Sequence, residues 1–275
     1  MEGCRSLVVL IISDGVTHID DNAFNYCDSL TSVTIASSVT SIGNNAFGGC
    51  GSLASVVIPE GVTSIGNRAF GHCPSLTSVV IPEGVTSIGS STFGGCSSLT
   101  SVVIPEGVTD IGDFAFSSCT GLASITIPAS VTKIENEAFG GCIGLTSATI
   151  SAVDMQEIGV GAFRNCTSLD TIYCKSATPP LAFSYTFRNV KPTCVVMVPS
   201  GNKAAYEKAG GWRLLTIVED KYSGIEDEYV GRSIISRHYF SESGMELPAV
   251  RDGVTIVVTL YDDGSISREK VFKMR

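Results

Sequence analysis

Charge is what this sequence has least of. Only 16% of its 275 residues are Asp, Glu, Lys or Arg, against ~25% in an ordinary soluble domain. The surface must therefore be covered by uncharged polar groups, and abundant Ser, Thr and Gly supply them. Positive charge is scarcer still: 18 basic residues face 27 acidic ones, a net charge of −9. That balance excludes the basic footprint of a nucleic-acid binder and a polybasic contact with a membrane surface. No apolar run approaches the ~20 residues of a membrane-spanning helix. The start, MEGCRSLVVLIISDGV, holds only a short apolar stretch from Leu7 to Ile12, after the acidic Glu2. A secretory signal has a basic start and a longer apolar core. The expectation is a mature or truncated chain, with a cytoplasmic protein as the alternative.

The residues of catalysis are equally sparse. The three histidines, His18, His72 and His238, share no spacing with one another. His18 and His72 stand where other copies of the repeat described below have Ser or Gly, which marks them as surface substitutions. No HExxH, GxSxG or Walker phosphate loop is present, and pieces such as Gly94-Gly95 read as turns. No cysteine pair is spaced CxxC, which argues against a structural zinc site. Neither an enzyme nor a cofactor is expected.

What the sequence does have is a period. Cys4, Cys27, Cys50, Cys73, Cys96, Cys119 and Cys142 follow at steps of 23 residues, and Cys166 after a step of 24. Around them recurs CxSLTSVVIPEGVTSIGxxAFGG, clearest from Cys73 to Gly95; the extra residue lies within SAVDMQEIG, as a loop insertion. Leu76, Val79 and Ile81 have LxxVxI spacing, so Val79 and Ile81 point to one face of a short strand. Pro82 ends the ladder, because it has no N–H to donate. Glu83-Gly84 turns the chain, Val85 and Ile88 return inward, and Gly89 begins another bend. Phe93 plugs the interior on a short helical or 3₁₀ turn. One copy cannot bury this apolar face, but stacked copies can. Strands stack ~4.8 Å apart, so the steps from Cys4 to Cys166 span on the order of 34 Å.

The fold class expected is a repeat solenoid, with a parallel β-sheet along one side and short turns and 3₁₀ or helical pieces on the other. A small C-terminal β module follows it. The pattern from about residue 4 to 219 resembles the BspA-like leucine-rich-repeat proteins, common on the surfaces of oral and gut anaerobic bacteria. The resemblance implies adhesion or ligand binding outside the cell, at the cell surface or after secretion with the signal removed. It names no ligand.

The period decays after Tyr173. Thr178-Pro179-Pro180 breaks it, Val196 to Pro199 restores a strand, Asn202 to Lys208 reads as a helix, Gly210-Gly211 stops it, and Leu214 to Val218 reads as a last strand. This segment is expected to cap the open core, with Trp212 packed inside; a sugar-stacking platform is the other reading of that ring. The domain boundaries are therefore 1–172 for the solenoid, 173–220 for the degenerate repeat and cap, and 221–275 for the tail. In the tail, Arg232 to Phe240 and Val254 to Tyr261 are strand candidates. Asp262-Asp263-Gly264-Ser265 is a hairpin signal and Ile266 to Phe272 returns. The tail resembles the C-terminal sorting domains of type IX-exported proteins through GIEDEYV, RSIISRHYF, SGMEL, DGVTIVVTLYDDGS and EKVFKMR; an ordinary β cap is the alternative.

Ten cysteines suggest a disulfide scaffold, but the period argues otherwise. Thiols in register on adjacent coils lie ~4.8 Å apart with parallel side chains, and a disulfide needs converging Cβ atoms near ~3.8 Å. A row of buried free thiols is expected, with the pairing of Cys174 and Cys194 left open. Glu60, Glu83 and Glu106 form a second row at three PEG turns, read as solvated residues rather than a calcium site. The outward strand positions carry the candidate ligand-binding face: Ser55, Ser78 and Ser101 in one row, and Thr34, Val57, Val80, Val103 and Thr126 in the next. The face is hydroxyl-rich and uncharged, with three valines at its centre. Val and Thr suit strands in any case, but a contiguous apolar patch marks a contact surface. The partner expected is a protein or a glycan. A structural spacer without a ligand and an ice-binding surface are the alternatives.

Overall fold

A computed structural model describes residues 3–220 and, beyond them, the strands Ile234–Ser241, Glu246–Leu247, Gly253–Tyr261 and Ile266–Lys273. The chain divides into two compact units, 1–223 and 224–275.

The first unit is a parallel-strand solenoid with almost no helix. Each coil before the closing one contributes a longer and a shorter strand. The longer strands form two five-stranded parallel sheets, from Val9–Ile12 to Ser101–Val103 and from Ser124–Ile127 to Thr216–Asp220. The register is in phase with the repeat: Ser78 pairs with Ser101 and Val80 with Val103. The shorter strands pair likewise, with Ser41 beside Ser64 and Asp110 beside Lys133.

The sheet is not the single ribbon that stacking alone predicts, and proline explains where it thins. Ala36, Ser151 and Lys175 donate their N–H groups to Ile12, Ile127 and Ile150 of the coil before. Pro59, Pro82, Pro105 and Pro128 occupy the same place and have nothing to donate. The strands Ser55–Val56, Ser78–Val80 and Ser101–Val103 are cut to two or three residues, whereas Ser32–Ile35 keeps four. The ladder of longer strands lapses between Val103 and Ser124, and that of shorter strands between Ile65 and Ser87.

On the far side, the Ala-Phe segments are not helical. They are turns whose alternate N–H groups all reach the following coil: Asn45 to Asn67, Phe47 to Ala69 and Gly49 to Gly71. Repeating this geometry places two left-handed residues in most coils, such as Asn45 and Gly49, Arg68 and His72, or Phe114 and Ser118. The turns bring the phenylalanines into one stack from Phe24 to Phe187, with centroids 5.3–5.9 Å apart. The repeated Leu, Val and Ile side chains bury around it.

Among the described residues helical structure is confined to the closing coil: an α-helix at Lys203–Lys208 and a 3₁₀ turn at Trp212–Leu214. The last strand is Thr216–Asp220, later than Leu214 to Val218, because the turn takes up Leu214. Trp212 is fully buried. It lies 4.9 Å from the Phe187 ring and edge-on to Tyr206 at 5.2 Å, and its indole N–H donates to the Pro180 carbonyl at 2.8 Å. The ring thus closes the phenylalanine stack, which rules it out as a sugar platform.

The second unit contains an antiparallel sheet in the order Glu246–Leu247, Ile234–Ser241, Gly253–Tyr261, Ile266–Lys273. The expected hairpin is present, with Val257 opposite Glu269. Its turn at 262–265, the motif GIEDEYV, the first two residues of RSIISRHYF, the SGM of SGMEL, the first residue of DGVTIVVTLYDDGS and the last two of EKVFKMR lie outside the described residues.

Candidate functional site

Alternation along the longer strands sorts side chains into two sets. In Ser78–Val80, Val79 enters the core while Ser78 and Val80 face out. Applied coil by coil, this puts every expected face residue on one surface. Ser55, Ser78, Ser101, Thr34 and Thr126 are exposed, and Val57, Val80 and Val103 are 79%, 62% and 66% exposed. Farther along the same row, beyond Thr34 on one side and Thr126 and Thr149 on the other, stand the exposed Ile11, Tyr173 and Val218. From Val9 and Ile11 to Thr216 and Val218, neither outward row contains a charged side chain.

The rims of the face differ. On one side stand Thr31, Thr77, Thr100 and Thr146, whose hydroxyls donate to carbonyls of the preceding coil at 2.9–3.2 Å. These hydroxyls are committed to holding adjacent coils in register. On the other side stand the exposed Glu60, Glu83 and Glu106. Glu106 accepts the Ala129 N–H at 3.1 Å.

The cysteines are all free, Cys174 and Cys194 included. Those from Cys50 to Cys166 are more than small apolar fillers. Each thiol donates to the carbonyl of a phenylalanine in the coil before: Cys73 to Phe47, Cys96 to Phe70 and Cys119 to Phe93, all at 3.2 Å. Burial pushes the Cys50, Cys96 and Cys142 thiols up to about 12 and drives Cys73 and Cys119 well above the ordinary thiol range. Burial thus disfavours the thiolate, the form that a nucleophile or a metal ligand needs. Cys174 meets the Tyr206 hydroxyl at 3.1 Å.

A further row escaped the sequence reading. The side-chain oxygens of Asp21, Asn44, Asn67, Asp113 and Asn136 each accept the backbone N–H one coil on, at Asn44, Asn67, Ser90, Asn136 and Val160, over 2.6–3.0 Å. The signal for it is a short amide or acid recurring two positions after the Ile of a shorter strand, at the 23-residue period. The histidines His18 and His72 are exposed and remote from each other. Among the described residues no group of His, Cys, Asp and Glu is placed to hold a metal ion, and no helix is long and apolar enough to cross a membrane.

Comparison with known proteins agrees with this geometry. A family model described as a BspA-type leucine-rich repeat region matches residues 1–100 and 86–207, in 6 copies. Among solved structures, a leucine-rich repeat protein of T. pallidum is 35% identical with a TM-score of 0.54, over 59% of this chain and 78% of that one. A leucine-rich repeat protein from Eubacterium ventriosum is 29% identical with a TM-score of 0.55, over 59% of this chain and 44% of its own. Comparison with curated proteins returns no match.

Proposed function

The chain belongs to the BspA-type leucine-rich-repeat family, and from that premise we propose that it is a surface-exposed or secreted binding protein that recognises a protein or glycan ligand through its longer-strand face. The single observation that carries this reading is the exposed row Val57, Val80 and Val103 at the centre of an uncharged, hydroxyl-lined sheet. Repeat proteins bind along the extended surfaces made by their stacked elements, and contiguous exposed apolar surface marks contact sites. The repeat is a scaffold: its buried thiols are protonated, and its two described solenoid histidines stand apart on the surface. Export outside the cell follows the habit of the family and is part of the proposal.

The test is a single charge on the face. Val80→Arg leaves the core untouched, because the side chain points outward, but strands a desolvated charge in any apolar contact. Screened on protein and glycan arrays, it should keep the melting temperature of the parent and lose binding to the ligand that the parent captures. Arg68→Glu, on the turn before Phe70, should bind as the parent does. Normal binding by Val80→Arg with loss in Arg68→Glu would move the site to the outer turns. No ligand on any array would favour a spacer.

A further inference from the structure

The three exposed valines coincide with the three rim glutamates. Val57, Val80 and Val103 are each followed, three positions on, by Glu60, Glu83 and Glu106. The flanking coils lack both: Thr34 and Ser37 stand before them, Thr126 and Ala129 after. Across the valines the opposite rim is uncharged, with Ala54, Thr77 and Thr100. Among the described residues none of the three glutamates takes part in an ion pair. The result is an apolar strip three coils long with an acidic margin on one side only.

We propose that this strip docks an amphipathic helix of another polypeptide, whose apolar stripe lies on the valines and whose Lys or Arg residues, along one flank, meet the glutamates. The inference rests on the reading of the strand face as the contact surface and adds the chemistry of the partner. Charge decides the sign: three carboxylates along one margin reject an acidic partner and leave a neutral glycan nothing to neutralise. Spacing decides the secondary structure. Coils repeat every ~4.8 Å, and a helix lying along the solenoid axis presents one side chain per turn of ~5.4 Å. Over two steps the mismatch is about 1.2 Å. A strand in the same direction presents same-face side chains about 6.8 Å apart and misses the third valine by about 4 Å. Anchors at i, i+4 and i+7 therefore fit valines on three rungs. The long stems of Lys and Arg let their charged ends reach beyond the apolar stripe to the margin.

The experiment uses the full chain and a stapled helical peptide with leucines at i, i+4 and i+7 and lysines on one flank. A second peptide carries glutamates in place of the lysines. Calorimetric titration should show saturable binding of the lysine peptide, weakened by added salt, and no binding of the glutamate peptide. Combining Glu60→Gln, Glu83→Gln and Glu106→Gln should weaken the lysine peptide about tenfold, the sum of three partly exposed charge pairs. The pair Glu60→Gln and Glu83→Gln, which leaves the Glu106 bond to Ala129 in place, should show most of that loss. Melting curves check that both variants fold. Failure of the lysine peptide to bind, or equal binding by the triple variant, overturns the proposal. If Val80→Arg abolishes capture of an array ligand while the lysine peptide is not bound, the face stands and the partner chemistry falls. If neither ligand responds to Val80→Arg, both readings fall.

Discussion

Raising the pH should unfold this protein through its thiols. Cys50, Cys73, Cys96, Cys119, Cys142 and Cys166 are fully buried, and desolvation lifts each above the ordinary value of an exposed thiol. A folded-state value raised above the unfolded one means stability that is complete below about pH 8.5, the unfolded thiol value, and is lost as pH rises toward the folded values. At about one pH unit above that point, each thiol that ionises only on unfolding removes about 1.4 kcal/mol. Six together remove about 8 kcal/mol, comparable with the whole stability of an ordinary domain, ~5–15 kcal/mol. Guanidinium unfolding followed by circular dichroism at pH 7.5 and 9.5, with excess reductant, should show most of that loss. Cys96→Ala should be weaker than the parent at pH 7.5 but should lose about one sixth less between the two pH values. A drop under about 2 kcal/mol would refute the reasoning, because it would mean that the thiols are absent from the core or already bonded to one another.

Two further perturbations probe other parts of the solenoid. Trp212→Ala removes the ring that closes the phenylalanine stack and orphans the Pro180 carbonyl, and should cost about 3–5 kcal/mol; a loss below about 1 kcal/mol in thermal or denaturant unfolding would mean that the ring does not hold the end of the core. Arg68→Gly replaces an exposed side chain held at φ 55°, where the equivalent coil has Gly161, and should stabilise by up to about 1 kcal/mol; a lower melting temperature would show that the left-handed turn is not strained there.

The coil was legible because one period organises everything that points inward. Leu76, Val79, Ile81, Val85, Ile88, Phe93 and Cys96 are each a single letter with a single environment, and all are buried. The outward rows follow by alternation, so the residues of the candidate face were readable as exposed. What lay beyond reading depends on a neighbour 22 to 27 positions away. That Pro59 thins the ladder depends on the carbonyl of Ile35, and that Cys96 is a donor depends on where Phe70 turns its carbonyl. The segments around Phe93 and its equivalents read as short helical or 3₁₀ turns but fold as non-helical turns. Their conformation is imposed by hydrogen bonds to the next coil, which let Arg68, Phe114 and Glu137 adopt left-handed angles that their own preferences oppose.

Those turns also settle how the solenoid would behave under load. Both strand ladders and the turn column lie across the coil junctions, so a pull along the axis strains all three in parallel. The longer strands part company between Val103 and Ser124, and the shorter ones between Ile65 and Ser87. The turn column crosses both breaks intact, with Arg68, Phe70 and His72 bonded to Ser90, Thr92 and Gly94, and Ser91, Phe93 and Gly95 to Asp113, Ala115 and Ser117, then Phe114, Phe116 and Ser118 to Asn136, Ala138 and Gly140. The two faults fall at different junctions, and a single unbroken seam bridges each. Under tension the strand side would gape first while the turn side acted as a hinge, so the molecule would bend open toward its strand face before it came apart.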